Sequence, residues 1–113
     1  MEKRVQDYSK EILKIIRSNT SPAVMAGRLQ DYHENDLADV LPMLTVQERC
    51  KLYRILDLNM LSDVFEYTDS DNAAEYVKEM DVKKGAAILS RMETDALVEV
   101  LHKIDKAKKK LLF

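Results

Sequence analysis

A beat of twelve residues runs through most of this chain and limits what it can fold into. Thr45, Asp57, Asp69, Asp81, Glu93 and Asp105 stand twelve apart, an acid or a hydroxyl each time. The apolar residues keep the same interval. Positions 40, 52, 64, 76, 88 and 100 read Val, Leu, Val, Tyr, Ile, Val, and the next column, 41 to 101, reads Leu, Tyr, Phe, Val, Leu, Leu. A third column, 44 to 104, reads Leu, Leu, Thr, Met, Met, Ile, with Thr68 its one polar member. Within a unit the i, i+1, i+4 spacing is one face of a helix and not the alternation of a strand. Helices this short are marginal alone and must bury that face on neighbours. The chain therefore reads as all-α, an armadillo-like array of short helices with about 12 residues per helix.

The seam residues then have a structural role. Asp and Thr accept hydrogen bonds from the free N–H groups at a helix start, and a negative charge there suits the helix dipole. Asp57, Asp69, Asp81 and Asp105 are expected as such caps, and Thr45 to Glu48 reads as a capping box. The N-terminal third departs from the period. Val5, Tyr8, Ile12, Ile15 and Ile16 predict a helix over about residues 6–17, and Ser21 followed by Pro22 starts a second over about 22–32. The array itself is expected to start at Asn35 or Asp36, with Pro42 shortening the helix it falls in. The organisation expected is an N-terminal helix and linker (1–20), the array (21–105) and a basic helix extension or linker (106–113).

Charge is segregated along the chain. Residues 31–99 hold sixteen Asp/Glu against seven Lys/Arg, while residues 1–30 carry +3 and residues 100–113 carry +4. An acidic body repels nucleic acid and attracts cations or a basic partner. The single cysteine, Cys50, excludes an internal disulfide framework and fits a reducing compartment. No apolar run approaches the roughly 20 residues of a membrane span, so these residues read as a soluble cytosolic unit.

No catalytic constellation is present in the sequence. His33 and His102 lack zinc-ligand neighbours and read as surface or capping residues. Cys50 lies between Arg49 and Lys51 without a histidine and acid partner, and there is no glycine-rich phosphate loop. Met43, Met80 and Met92 read as core filler. The chain is not expected to be an enzyme. Asp95 and Glu99, four apart, share a helix face at a like-charge cost that a cation or basic group between them would remove. Asp63 stands in the same repeat column as Glu99.

The stretch from "YHENDLADVLPML" to "ALVEVLHKID" resembles the cytoplasmic N-terminal domain of MgtE-type magnesium transporters. The likeness covers about residues 22–105. Its clearest parts are H-x-x-D-L-A-D-V-L, His33 to Leu41, and the rhythm ending in D-x-x-x-x-x-L-x-x-M. The middle domain of the flagellar motor-switch protein FliG has a similar short-helix repeat and is the alternative, a protein-interaction module without metal dependence. The transporter resemblance implies a right-handed superhelix, followed in the same polypeptide by a CBS-pair module and a transmembrane pore domain in a homodimeric parent. It implies a magnesium sensor in which Mg²⁺ bridges acids of this domain and of the CBS module, holding the pore closed at high magnesium. By alignment those acids fall on Asp63, Asp95 and Glu99, and Mg²⁺ binding by this domain alone is expected to be weak. The sequence departs from the family at Lys83 and Lys84, where an acidic pair is common, and at Ala96, where a second acid often accompanies Asp95. These departures bear on the number of metal sites.

Overall fold

The computed structural model describes residues 7–112, with side chains as far as Ile104. Eight α-helices follow one another: α1 (Ser9–Ile16), α2 (Pro22–Leu29), α3 (Glu34–Val40), α4 (Val46–Ile55), α5 (Leu58–Glu66), α6 (Ser70–Lys78), α7 (Val82–Ser90) and α8 (Thr94–Leu112). A 3-10 turn, Leu41–Met43, separates α3 from α4 where Pro42 cannot continue the helix. Among the described residues there is no strand, and no helix is long and apolar enough to cross a membrane.

The caps explain the boundaries. Thr45 Oγ1 accepts from the Glu48 N–H at 3.2 Å while Glu48 Oε1 accepts from the Thr45 N–H at 3.0 Å, a complete capping box. Asp57, Asp69 and Asp81 accept from the N–H groups of Met60, Asp71 and Lys84 at 2.8, 3.2 and 2.8 Å. The same column extends back into the N-terminal third. Ser21 Oγ caps α2 through the Val24 N–H, and His33 Nδ1 caps α3 through the Asn35 N–H at 2.9 Å. The twelve-residue column of caps therefore reaches back to Ser21, into the third whose apolar residues depart from the period, and α3 begins at Glu34, just before Asn35 and Asp36. Asp105 departs in the other direction. It lies inside α8, with no helix start there, because Lys and Ala continue the helix and neither Gly nor Pro interrupts it.

All six members of the first apolar column, Val40, Leu52, Val64, Tyr76, Ile88 and Val100, are buried. Such side chains contribute about 1.5–3 kcal/mol each when fully removed from water. The second column is buried at Leu41, Tyr53 and Phe65, half-buried at Val77 and Leu89, and exposed at Leu101. A further column completes the face: Met25, Leu37, Leu61, Ala73 and Gly85 are buried, with Arg49 and Leu97 half-buried. Met43, expected in the core, is 51 % exposed, at the end of the 3-10 turn that contains Pro42. Met92 is buried and Met80 half-buried.

Packing follows parity. Helix α1 packs on α3, α3 on α5 and α5 on α7, while α2 packs on α4 and α6 on α8. Ser62 Oγ on α5 donates to the Ile88 carbonyl of α7 at 3.1 Å, and Arg91 Nε after α7 donates to Asn59 Oδ1 of α5 at 3.3 Å. Between the even helices, Lys103 of α8 pairs with Asp71 of α6 at 3.2 Å. Helices adjacent in sequence also touch, α1 with α2 and α6 with α7, so most but not all of the packing joins units two apart.

Candidate functional site

Helix α5 is amphipathic. Met60, Leu61, Ser62, Val64 and Phe65 are buried, which leaves Asn59 and Asp63 on the outward side. Asp63 is exposed, yet the loss of some solvent around its carboxyl pushes it up from its ordinary value, and the charges of Glu34, Glu66 and Asp57 push it the same way. Glu34 begins α3, and it is the stacking of α3 on α5 that brings it to Asp63. Asp63 thus lies in a field of negative charge gathered from two helices and a seam.

Glu66, at the end of α5, has a second function. Its Oε2 accepts from the backbone N–H of Glu93 at 2.8 Å, so a carboxylate from α5 satisfies a free donor at the start of α8. Asp95 stands in the first turn of α8, and Glu99 follows one turn later. Both are exposed. None of Asp63, Asp95 and Glu99 takes part in a salt bridge among the described residues.

These three acids are not one cluster. Asp63 belongs to the odd stack of helices and Asp95 with Glu99 to the even stack, so sharing a repeat column does not by itself make Asp63 and Glu99 neighbours. Among the described residues no three His, Cys, Asp or Glu side chains converge as a group able to hold a metal ion. What the chain presents is an acidic surface at two places, tied through the contact between Glu66 and the start of α8.

One polar group inside the array was hidden in the sequence. Arg49 occupies the apolar column of Leu37 and Leu61, yet it is almost covered. Its Nη2 reaches Glu79 Oε2 at 2.7 Å and its Nε reaches Oε1 at 2.9 Å, a bidentate pair. Nη1 also donates to the carbonyls of Leu41 and Leu44, and the guanidinium lies 4.8 Å from the centre of the Tyr76 ring. The Tyr53 hydroxyl donates to Glu79 Oε1 at 2.8 Å. Burial opposes ionisation of Glu79, but the bonds from Arg49 and Tyr53 and the Arg49 charge outweigh it and lower its pKa. This network locks α4 to the end of α6 and engages both Glu79 oxygens. The only sequence signal for it was a charged residue on a column otherwise apolar or small.

His33 contributes to structure as a cap, its ring edge-on to Tyr67 with centroids 5.2 Å apart, and His102 is exposed. Cys50 is half-buried, 3.7 Å from the Glu79 carbonyl.

Residues 32–113 match the family described as the MgtE intracellular N domain. No curated protein and no solved structure matches the chain.

Proposed function

This chain belongs to the family of MgtE intracellular N domains, and on that premise we propose that it is the magnesium-sensing regulatory domain of a magnesium transporter. Its work is binding and switching, not catalysis, on the cytoplasmic side of the membrane. The family match carries this reading; the alternative, a FliG-like interaction module, shares the short-helix array but lacks that support. In the proposed mechanism Asp63, Asp95 and Glu99 face a CBS-pair module of the same polypeptide. Mg²⁺ lies between the two acidic surfaces when magnesium is high and holds the pore closed. Mg²⁺ prefers hard oxygen ligands, keeps several of its waters and takes one or two carboxylates from a given surface. Dispersed, exposed acids suit such a shared site better than a closed cage. When magnesium falls, the field already felt by Asp63 is no longer neutralised, and repulsion favours separation. Because the ion binds the docked form better than the undocked one, it shifts the population between them.

The test is a Mg²⁺ titration of the full-length gene product, read by protection of the domain from protease. Asp95→Asn with Glu99→Gln is expected to raise the Mg²⁺ concentration needed for protection by about tenfold or more, with helicity unchanged. Protection that ignores Mg²⁺ in the unaltered protein would remove the sensing role. A gene that continues beyond Phe113 without CBS-like segments and membrane spans would remove the transporter assignment.

A further inference from the structure

The start of α8 is fixed differently from the start of α4. Before α4 the N–H of Thr45 is taken locally, by Glu48 three residues on, at 3.0 Å. The corresponding residue of α8 is Ala96, whose side chain has no acceptor. Glu93 stands where Thr45 stands, and its carbonyl accepts the first bond of the helix, from the Leu97 N–H at 2.9 Å. Its own N–H is taken by Glu66 Oε2, 27 residues back on α5, at 2.8 Å. A second bond holds the same seam, since Arg91 Nε donates to Asn59 Oδ1 of α5 at 3.3 Å. Between these two anchors Met92 is buried. Asn59, Asp63 and Glu66 follow at i, i+4 and i+7, so they form one stripe of α5. The seam therefore lies along that stripe, bonded to it about one turn before Asp63 and one turn after.

We propose that Glu66 is the positioning residue of the sensor: by holding the Glu93 N–H it sets the first turn of α8, with Asp95 and then Glu99, at a fixed place relative to Asp63. The inference rests on the docking reading above and names what arranges its ligands. Asp63 and the α8 pair belong to different stacks. Close packing leads from α5 to α8 only by way of α7 and α6. The bond between Glu66 and Glu93 is the direct link. Its acceptor is a carboxylate and its donor a free N–H at a helix start, the charge-assisted kind that is shorter and stronger than a neutral pair. Asp95 follows the held N–H by two residues, so it stands where that bond acts most. Mg²⁺ demands near-octahedral geometry, and an interface whose ions meet acids at both places tolerates little drift between them. Glu66 acts here through the backbone it holds and not as a ligand.

Two variants isolate the bond. Glu66→Gln keeps an acceptor for the Glu93 N–H, and Glu66→Ala removes it. Both remove the same charge, so the difference between them reads the bond alone. Hydrogen exchange of the full-length gene product, with MgCl₂ as the only addition, follows the Glu93 amide and the segment from residue 94 to residue 104. Without Mg²⁺ the Glu93 amide is expected to exchange faster in Glu66→Ala than in the unaltered protein or in Glu66→Gln. On titration the Mg²⁺ midpoint of the segment is expected to rise about fivefold in Glu66→Ala and to stay within about twofold in Glu66→Gln. Asp81→Ala, which removes the cap of α7, is the control for a merely structural loss. It is expected to lower the thermal midpoint and leave the Mg²⁺ midpoint in place. An unchanged Mg²⁺ midpoint in Glu66→Ala would overturn the positioning role. So would an equal rise in Glu66→Gln, which would make the charge responsible, or in Asp81→Ala, which would make it an effect of stability. No Mg²⁺-dependent slowing in the unaltered protein would instead remove the docking reading, and the role of Glu66 with it.

Discussion

Arg49 and Asp63 show two opposite uses of charge in one small domain. The bidentate pair between Arg49 and Glu79 is nearly covered, so removing one partner leaves the other charge without compensation. Glu79→Gln is expected to destabilise the domain by about 2 kcal/mol, below the range for a fully buried pair, and Tyr53→Phe by about 1 kcal/mol. Urea unfolding of each variant measures both. The pH dependence has a definite sign. Glu79 and Glu48 both have lowered pKa values, Glu48 reaching about 2 through the Arg17 guanidinium and the Thr45 N–H. Their contribution is complete above the unfolded carboxylate value of 4.5 and is lost as pH falls through the lower folded values. Acid unfolding is therefore expected below about pH 4.5, and Glu79→Gln flattens it. Asp63 has the reverse sign. Its pKa is raised, so its charged form burdens the fold at neutral pH and that burden is relieved by acid. Asp63→Asn is expected to raise the thermal midpoint at pH 7, whereas an ordinary structural acid would lower it.

At the scale of the helix, the domain is specified by its punctuation. Asp57→Ala and Asp81→Ala each remove a carboxylate cap and are expected to cost about 1 kcal/mol in a thermal or urea unfolding series. Gly27→Ala in α2 is expected to do the opposite, a gain of about 0.5–1 kcal/mol, because a Cβ there meets nothing within 4 Å. Gly85 is different. A Cβ there would lie 3.1 Å from Cγ1 of Val77, a branched side chain with little room to turn, so the same change should bring no gain. These residues also mark what could be read in advance. The helices, their length and the capping role of Asp57, Asp69 and Asp81 follow from spacing and side-chain chemistry alone. The first two units were hidden because Ser21 and His33 interrupt the run of acids and Arg28 stands where the first column expects an apolar residue. Arg49 and Gly85 hid a whole buried column, since the contact that makes each acceptable comes from another helix. Asp105 looked like a seam because a cap is visible in sequence, whereas the continuation of α8 depends on the residues beyond it. At the candidate site, Asp95 and Glu99 were legible as a pair one turn apart. The surroundings of Asp63 were not, because Glu34 reaches it only through the stacking of α3 on α5.

For the molecule as a whole, the main consequence of the fold lies in its parity. The odd helices pack in series, α2 packs on α4 and α6 on α8, and side chains from Arg49 and Tyr53 to Glu79 join α4 to the end of α6, so most of a unit's partners lie two units away. An insertion or loss of one twelve-residue unit would transfer every later helix to the opposite stack and turn each onto a neighbour it was not shaped for. Two units at a time leave the alternation intact. Inserting a second copy of residues 57–80 after Met80 is therefore expected to give a longer, cooperatively melting helical protein, while inserting a second copy of residues 69–80 alone is expected to lose cooperative melting by circular dichroism. The lineage of such a domain could then change length only in even steps, much as a two-ply braid accepts another full crossing but not half of one.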